Sequence, residues 1–225
     1  MQLHPSSGQS GSTHLFTHTP KALVQTLPRV VFEGRIVVIQ SQAEADKAVR
    51  YLLTQPIVGI DTETRPTFHK GPMNKVALLQ VSTLDICFLF RLNFTGLTGS
   101  IVSLLESRDV RKVGLSLGDD TAALLRRGDF RPRAFIDLQA CAREMGIEDM
   151  SLQKLYANVF RQRISKNAQL SNWEADVLSD SQKLYAATDA YTCLQLYGKL
   201  TELRRTGNYV IEEPPAGADS AAHTA

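Results

Sequence analysis

The segment Lys75-Val-Ala-Leu-Leu-Gln-Val-Ser82 is followed, after only Thr83-Leu84-Asp85, by a second run, Ile86-Cys-Phe-Leu-Phe90. Parallel neighbours need a long crossover, and three residues cannot supply one, so the two runs must pair as an antiparallel hairpin. Upstream, Arg35–Ile39 is a short β-branched run and residues 57–61 form another apolar run. Between them, residues 43–53 space Ala43, Ala48, Tyr51 and Leu52 as a helix does. The first half is therefore expected to be a small antiparallel meander.

From Gly99 the pattern alternates: a helix over 100–107, a strand over 112–115, a helix over 119–127, and a short strand ending at Asp137. Alternation of this kind implies parallel strands with helical crossovers added to the meander. The expected class is α/β, a mixed sheet with helices on its faces. The remainder reads as helical, at 138–145, at 151–158 and from about Ser181 to Arg204, the last with Asp180 as its expected cap. Residues 1–28 are rich in Ser, Gly, Thr and His, and the chain ends in an Ala-, Pro- and Gly-rich stretch. Residues 1–28 and 206–225 are accordingly expected to be flexible tails around one domain, 29–205. His4, His14 and His18 fall in the first tail and read as solvated.

A chain of 225 residues with 43% hydrophobic content can bury one substantial core. Its formal charge of +2 identifies no partner, so any affinity for nucleic acid must come from a local patch. Cys87, Cys141 and Cys193 are odd in number, far apart and set in apolar stretches, which suits reduced core thiols better than disulfides or a zinc site. Glu33 and Arg35 interrupt the apolar runs around them, and no stretch approaches the ~20 apolar residues that cross a bilayer. No basic region followed by an apolar one opens the chain. A cytoplasmic protein without membrane association is expected.

Three blocks carry candidate chemistry. In Asp61-Thr62-Glu63, carboxylates at i and i+2 of a strand point the same way and can share a cation, although a solvated strand end looks the same. In Tyr185-Ala-Ala-Thr-Asp189, a spacing of four puts the phenol and the carboxylate on one helix face. Leu184, Ala186, Ala187, Ala190, Leu194 and Leu196 bury that carboxylate, which then needs backbone hydrogen bonds or a cation. In Lys112-Val-Gly-Leu-Ser-Leu-Gly-Asp-Asp120, a strand runs through a turn into a helix start, where Asp119 and Asp120 would both suit the helix dipole. Capping accounts for one of them more easily than two. Gly114 and Gly118 complete neither GxGxxG nor GK[ST], so nucleotide-cofactor binding is set aside.

Taken in order, these blocks resemble the DEDD exonuclease superfamily in its tyrosine subclass, with ribonuclease D and the Werner-type exonuclease domain. The matching pieces are Asp61-Thr62-Glu63, Lys112-x₇-Asp120 with Leu124 four residues on, and Tyr185-x₃-Asp189. Residues 75–82 are similar to the family's second strand. Ser171-Asn-Trp173, with the run from Gln182 to Tyr191, is similar to the Werner-type branch. The likeness covers the chain from Arg35 to Leu203. It implies a ribonuclease H-like mixed sheet and a two-metal-ion 3′→5′ exonuclease that releases nucleoside monophosphates from DNA or RNA. Family spacing selects Asp120 over Asp119, a choice that a one-residue shift in the turn reverses.

By the family's pattern Asp61 bridges two Mg²⁺ or Mn²⁺ ions, Glu63 and Asp189 complete the nucleophile-side ion, Asp120 holds the second through water, and Tyr185 steers the attacking water. Thr62, Lys166, Arg161 and Arg163 are the expected substrate contacts, and for the two arginines a solvated loop is an equal alternative. Relatives often follow the lysine with serine and place another basic residue before Ser-x-Trp, whereas here Asn167 and Gln169 stand. The expected partner is a single-stranded 3′ end or a frayed duplex, with DNA and RNA left open because nothing visibly reads a 2′-hydroxyl. The rival class is a nuclease-like nucleic-acid-binding scaffold without turnover.

Overall fold

The structure, a computed structural model, describes residues 11–67 and 74–215; His4 and the ends of both expected tails lie outside the described residues. The elements of the sheet are β2 (Arg35–Ile39), β3 (Ile57–Thr64), β4 (Val76–Ser82), β5 (Ile86–Arg91), β6 (Arg111–Gly114) and β7 (Phe135–Asp137). A small separate ladder joins β1 (Thr13–Phe16) to β8 (Tyr209–Glu212). The helices are α1 (Lys21–Thr26), α2 (Gln42–Leu52), α3 (Leu92–Thr95), α4 (Gly99–Glu106), α5 (Leu117–Leu125), α6 (Leu138–Arg143), α7 (Leu152–Phe160) and α8 (Asp180–Thr206).

The main sheet runs in the order β2-β5-β4-β3-β6-β7. The hairpin β4–β5 forms as its three-residue turn demands, and β3 pairs antiparallel with β4. Arg35–Ile39, expected within the antiparallel meander, instead pairs in parallel with β5. Two successive reversals return β5 to the direction of β3, and the α2 crossover gives β2 and β3 that same direction. β6 and β7 extend the other edge in parallel, as the alternation requires. β3 runs past Asp61 to Thr64, because Asp61, Thr62 and Glu63 pair with Gln80, Leu79 and Leu78.

Alternation along β3 divides the molecule into layers. Val58 and Ile60 join the core beneath α2 and α4, formed with Ala45, Leu52, Ile101 and Leu104. Gly59, Asp61 and Glu63 face α8 on the other side. A methyl on Gly59 would collide with the Ala190 carbonyl, so the absence of a side chain there lets α8 lie directly on β3. α8 starts from a capping box in which the Ser179 side chain accepts the Gln182 N–H and Gln182 accepts the Ser179 N–H. Asp180, the expected cap, lies inside the first turn and pairs with Lys183 at 2.6 Å. Ser179 takes the capping position because its backbone is extended, at φ −64° and ψ 160°.

Composition suggests a flexible tail over residues 1–28, but within its described part Thr13–Phe16 is a strand and Lys21–Thr26 a helix. Leu15 is fully buried, and the Phe16 backbone exchanges two 2.8 Å hydrogen bonds with the Asn158 side chain. Thr19, also fully buried, donates its N–H and hydroxyl to Asp149 at 2.9 and 2.6 Å. Residues 13–26 and 209–212 thus fold onto the domain through partners far away in the chain. All three cysteines are free thiols. Among the described residues no helix is long and apolar enough to cross a membrane.

Candidate active site

Asp61 and Glu63 project from β3 towards α8, where Asp189 lies 6% exposed. Carboxylate oxygens of Asp61, Glu63 and Asp189 all fall within 4.8 Å of one another. Asp189 accepts a hydrogen bond from the Tyr185 phenol, one turn earlier, as the spacing of four anticipates. Its Oδ1 is buried with no hydrogen-bond partner among the described residues. Asp120 stands apart from this trio, in the first turn of α5, where it accepts a short hydrogen bond from the Thr62 hydroxyl. Asp119 is exposed, and of the adjacent pair it is Asp120 that meets β3.

Sequence reading missed what holds Asp120 there. Ser116 has a left-handed backbone, φ 59°, and Asp137 at the end of β7 accepts the Ser116 and Leu117 N–H groups at 3.2 and 2.9 Å. This starts α5 at Leu117, two residues before the expected point. Lys112, the first residue of the same block, is fully buried and donates to the Ser107 carbonyl at 2.7 Å over the Phe135 ring. Burial pushes its ammonium down to about 8. Gln80 was also missed. It lies directly across the ladder from Asp61, fully buried, and neither end of its amide has a partner among the described residues. A lone polar residue inside the apolar run 75–82 was the available signal.

The electrostatics are those of anions forced together out of water. Burial, reinforced by Asp120 and Asp189, holds Asp61 well above the usual carboxylate range. Burial and then Asp61 push Glu63 up to about 10. Burial raises Asp189 to about 7 against the opposing Tyr185 hydrogen bond, and raises Asp120 to about 6 against that of Thr62. Burial and then Asp189 push the Tyr185 phenol above its ordinary value.

Asp61, Glu63, Tyr185 and Asp189 line a cavity of 240 Å³ together with Thr62, Lys166 and Gln169, and Asp120 lies outside that lining. Arg161 and Arg163 are not in its lining. Arg161 ends α7 in a left-handed conformation, φ 52°, which turns its guanidinium over the Phe16 ring and onto the His14 carbonyl. Arg163 donates through Nε to the Leu27 carbonyl at 2.9 Å. Both arginines therefore grip the N-terminal segment. Behind the site, Trp173 is fully buried, 6.0 Å from the Tyr185 ring. Its loop is tied by Gln182 to Ser171 and Asn172, and by the buried Arg91 to the carbonyls of Ala175 and Asp176.

A six-stranded mixed sheet flanked by helices, with carboxylates contributed by its central strand and by a long late helix, is the architecture of a ribonuclease H-like nuclease. Residues 36–204 match the family described as 3'-5' exonuclease, and the chain belongs to that family. It is 32% identical over 195 residues to the mouse (Mus musculus) bifunctional 3'-5' exonuclease/ATP-dependent helicase WRN, covering 82% of this chain and 14% of the relative. It is 28% identical over 215 residues to a 3'-5' exonuclease of Arabidopsis thaliana, covering 88% and 75%. Among solved structures, the Aedes aegypti Nibbler EXO domain superposes with a TM-score of 0.70 at 22% identity, covering 79% of this chain and 92% of that one. This chain therefore spans a small part of the first relative and three quarters of the second.

Proposed function

We propose that the protein shortens nucleic-acid strands from the 3′ end, hydrolysing the terminal phosphodiester bond with two divalent cations, Mg²⁺ or Mn²⁺, and releasing nucleoside monophosphates. The observation that carries this reading is the convergence of Asp61, Glu63 and Asp189 within 4.8 Å. Such a trio repels itself and would repel a phosphodiester unless cations neutralise it. The unpartnered Asp189 Oδ1 is the donor atom a metal would use. Asp61, Glu63 and Asp189 would hold one ion, and Asp61 with Asp120 the other. Bound ions supply Lewis acidity at the attacking water and at the leaving oxygen.

The chain's own groups do the rest. Tyr185 stays protonated across the working pH range, because burial and neighbouring acids raise its phenol. With its proton committed to Asp189, the phenol oxygen can accept a hydrogen bond from the attacking water and aim it. Thr62 fixes the Asp120 carboxylate. Lys166, in the cavity lining, offers positive charge to a phosphate without reading sequence. A recess of 240 Å³ suits one unstacked terminal nucleotide, which favours single strands and frayed ends over intact duplex.

The test uses 5′-labelled DNA and RNA strands with Mg²⁺ or Mn²⁺ and an EDTA control. A ladder shortening one nucleotide at a time, absent with EDTA and in Asp61→Asn, is the expected result. Binding without shortening would sink the enzymatic reading in favour of a scaffold.

A further inference from the structure

A second cavity, of 350 Å³, adjoins the carboxylate cavity, and Ser151, Gln153 and Lys166 line both. Its walls include Lys21 and Gln25 of α1, Lys154 of α7, and Arg163, Lys166 and Asn167 from the loop that follows. Four of its lining side chains are cationic and none is acidic. In a chain with a formal charge of only +2, this is the kind of local concentration that attracts a polyanion.

The α1 wall lies outside residues 36–204, the part matched by the exonuclease family. It is nonetheless built in. Thr19 anchors the start of α1 on buried Asp149 and donates to the Lys154 carbonyl at 3.2 Å. The Leu27 carbonyl just beyond α1 accepts from Arg163, and Arg163 and Val30 pair through their backbones. Asp149 is 3% exposed, spends its oxygens on Thr19 and Asn158, and is not part of the cavity lining.

We infer that this cavity anchors the sugar-phosphate backbone of a single strand, a few nucleotides upstream of the 3′ end placed at the carboxylates. The inference rests on the proposed exonuclease reading for the strand's direction. Lys21, Lys154 and Lys166 contact phosphates, Arg163 holds the α1 wall in place through Leu27, the shared residues Ser151, Gln153 and Lys166 carry the strand from one cavity to the other, and α1 supplies a grip that the family core lacks. Phosphate contacts are indifferent to base and to the 2′-hydroxyl, so DNA and RNA engage it alike.

The test compares the wild type with Lys21→Ala/Lys154→Ala, and with Lys47→Ala on the exposed side of α2 as a control. Fluorescence anisotropy on an Asp189→Asn background reads binding of labelled deoxy- and ribo-octamers across a salt series, with no need of hydrolysis. Each lost phosphate contact lowers the slope of log affinity against log salt by about 0.7, so the double variant should lose about 1.4. With Asp189 intact, the preference for octamer over dinucleotide, read as the ratio of kcat/KM values, should fall about 10-fold on both chemistries in the double variant. Unchanged slope and length preference in the double variant would overturn the anchoring site, as would a loss confined to the ribose form. An equal loss in Lys47→Ala would do so too. A slope that falls as expected while the wild type hydrolyses nothing would support the anchoring site and sink the exonuclease reading alone.

Discussion

Asp189→Asn replaces a buried ionisable group by a neutral side chain of the same shape, and its consequences separate stability from chemistry. Burial raises the Asp189 carboxyl from 3.8 to about 7. A tenfold change in proton affinity is worth about 1.4 kcal/mol, so ionising this group in the metal-free fold costs on the order of 4 kcal/mol. The folded-state value lies above the unfolded one. The associated stability is therefore complete below about pH 4 and is lost as the pH rises through about 7. Between about pH 5 and about pH 8 the wild type should lose on the order of 3 kcal/mol through this group, or about 6–12 °C in Tm for a chain of this size. Asp61 and Glu63, also raised, act in the same direction. The assay is thermal melting followed by circular dichroism in EDTA at both pH values, with hydrolysis measured in parallel. Asp189→Asn should melt several degrees above the wild type at the higher pH, come close to it at the lower, and hydrolyse nothing. Mn²⁺ should raise the wild-type Tm far more than that of the variant. A wild-type Tm that holds steady between the two pH values, or a variant that melts below it at the higher one, refutes the electrostatic reasoning.

Three further outcomes follow from the same geometry. Tyr185→Phe should lower kcat by about 10²–10⁴-fold with little change in KM, as expected for losing a group that positions the attacking water; near-normal turnover on a defined oligonucleotide contradicts that role. Thr62→Val keeps the volume but removes the hydrogen bond to Asp120. It should weaken Mn²⁺ half-saturation of hydrolysis by about 10–100-fold, and an unchanged metal titration would count against it. Gly59→Ala drives a methyl into the Ala190 carbonyl and should cost about 1–3 kcal/mol in urea denaturation, together with activity, because α8 must lift from β3. A variant with the wild-type urea midpoint would mean that the helix has room to spare.

Local rules recovered what is locally determined. The gap of Thr83, Leu84 and Asp85 forces the β4–β5 hairpin, the alternation along β3 points Asp61 and Glu63 one way, and helical spacing joins Tyr185 to Asp189. What escaped depends on pairing across the chain. Nothing in Arg35–Ile39 states which strand it will meet, and its parallel partner β5 is chosen by the path of the intervening meander. The segment 13–26 looks like a tail because its support, Asn158 and Asp149, is more than a hundred residues away. Arg161 and Arg163 read as phosphate contacts for the same reason, since the carbonyls they hold belong to His14 in that segment and to Leu27 just after it. The cap of α8 was a contest between neighbours, settled for Ser179 by its backbone and by Gln182 three residues on.

The division of the acidic trio between β3 and α8 also bears on when the protein becomes competent. Asp61 and Glu63 leave the ribosome more than a hundred residues before Asp189, which lies within α8. A nascent or truncated chain that ends before residue 189 has only part of the proposed metal set, so any nuclease so built should be silent until α8 has emerged and docked. Synthesis itself would then keep an unfinished copy from degrading nucleic acid nearby.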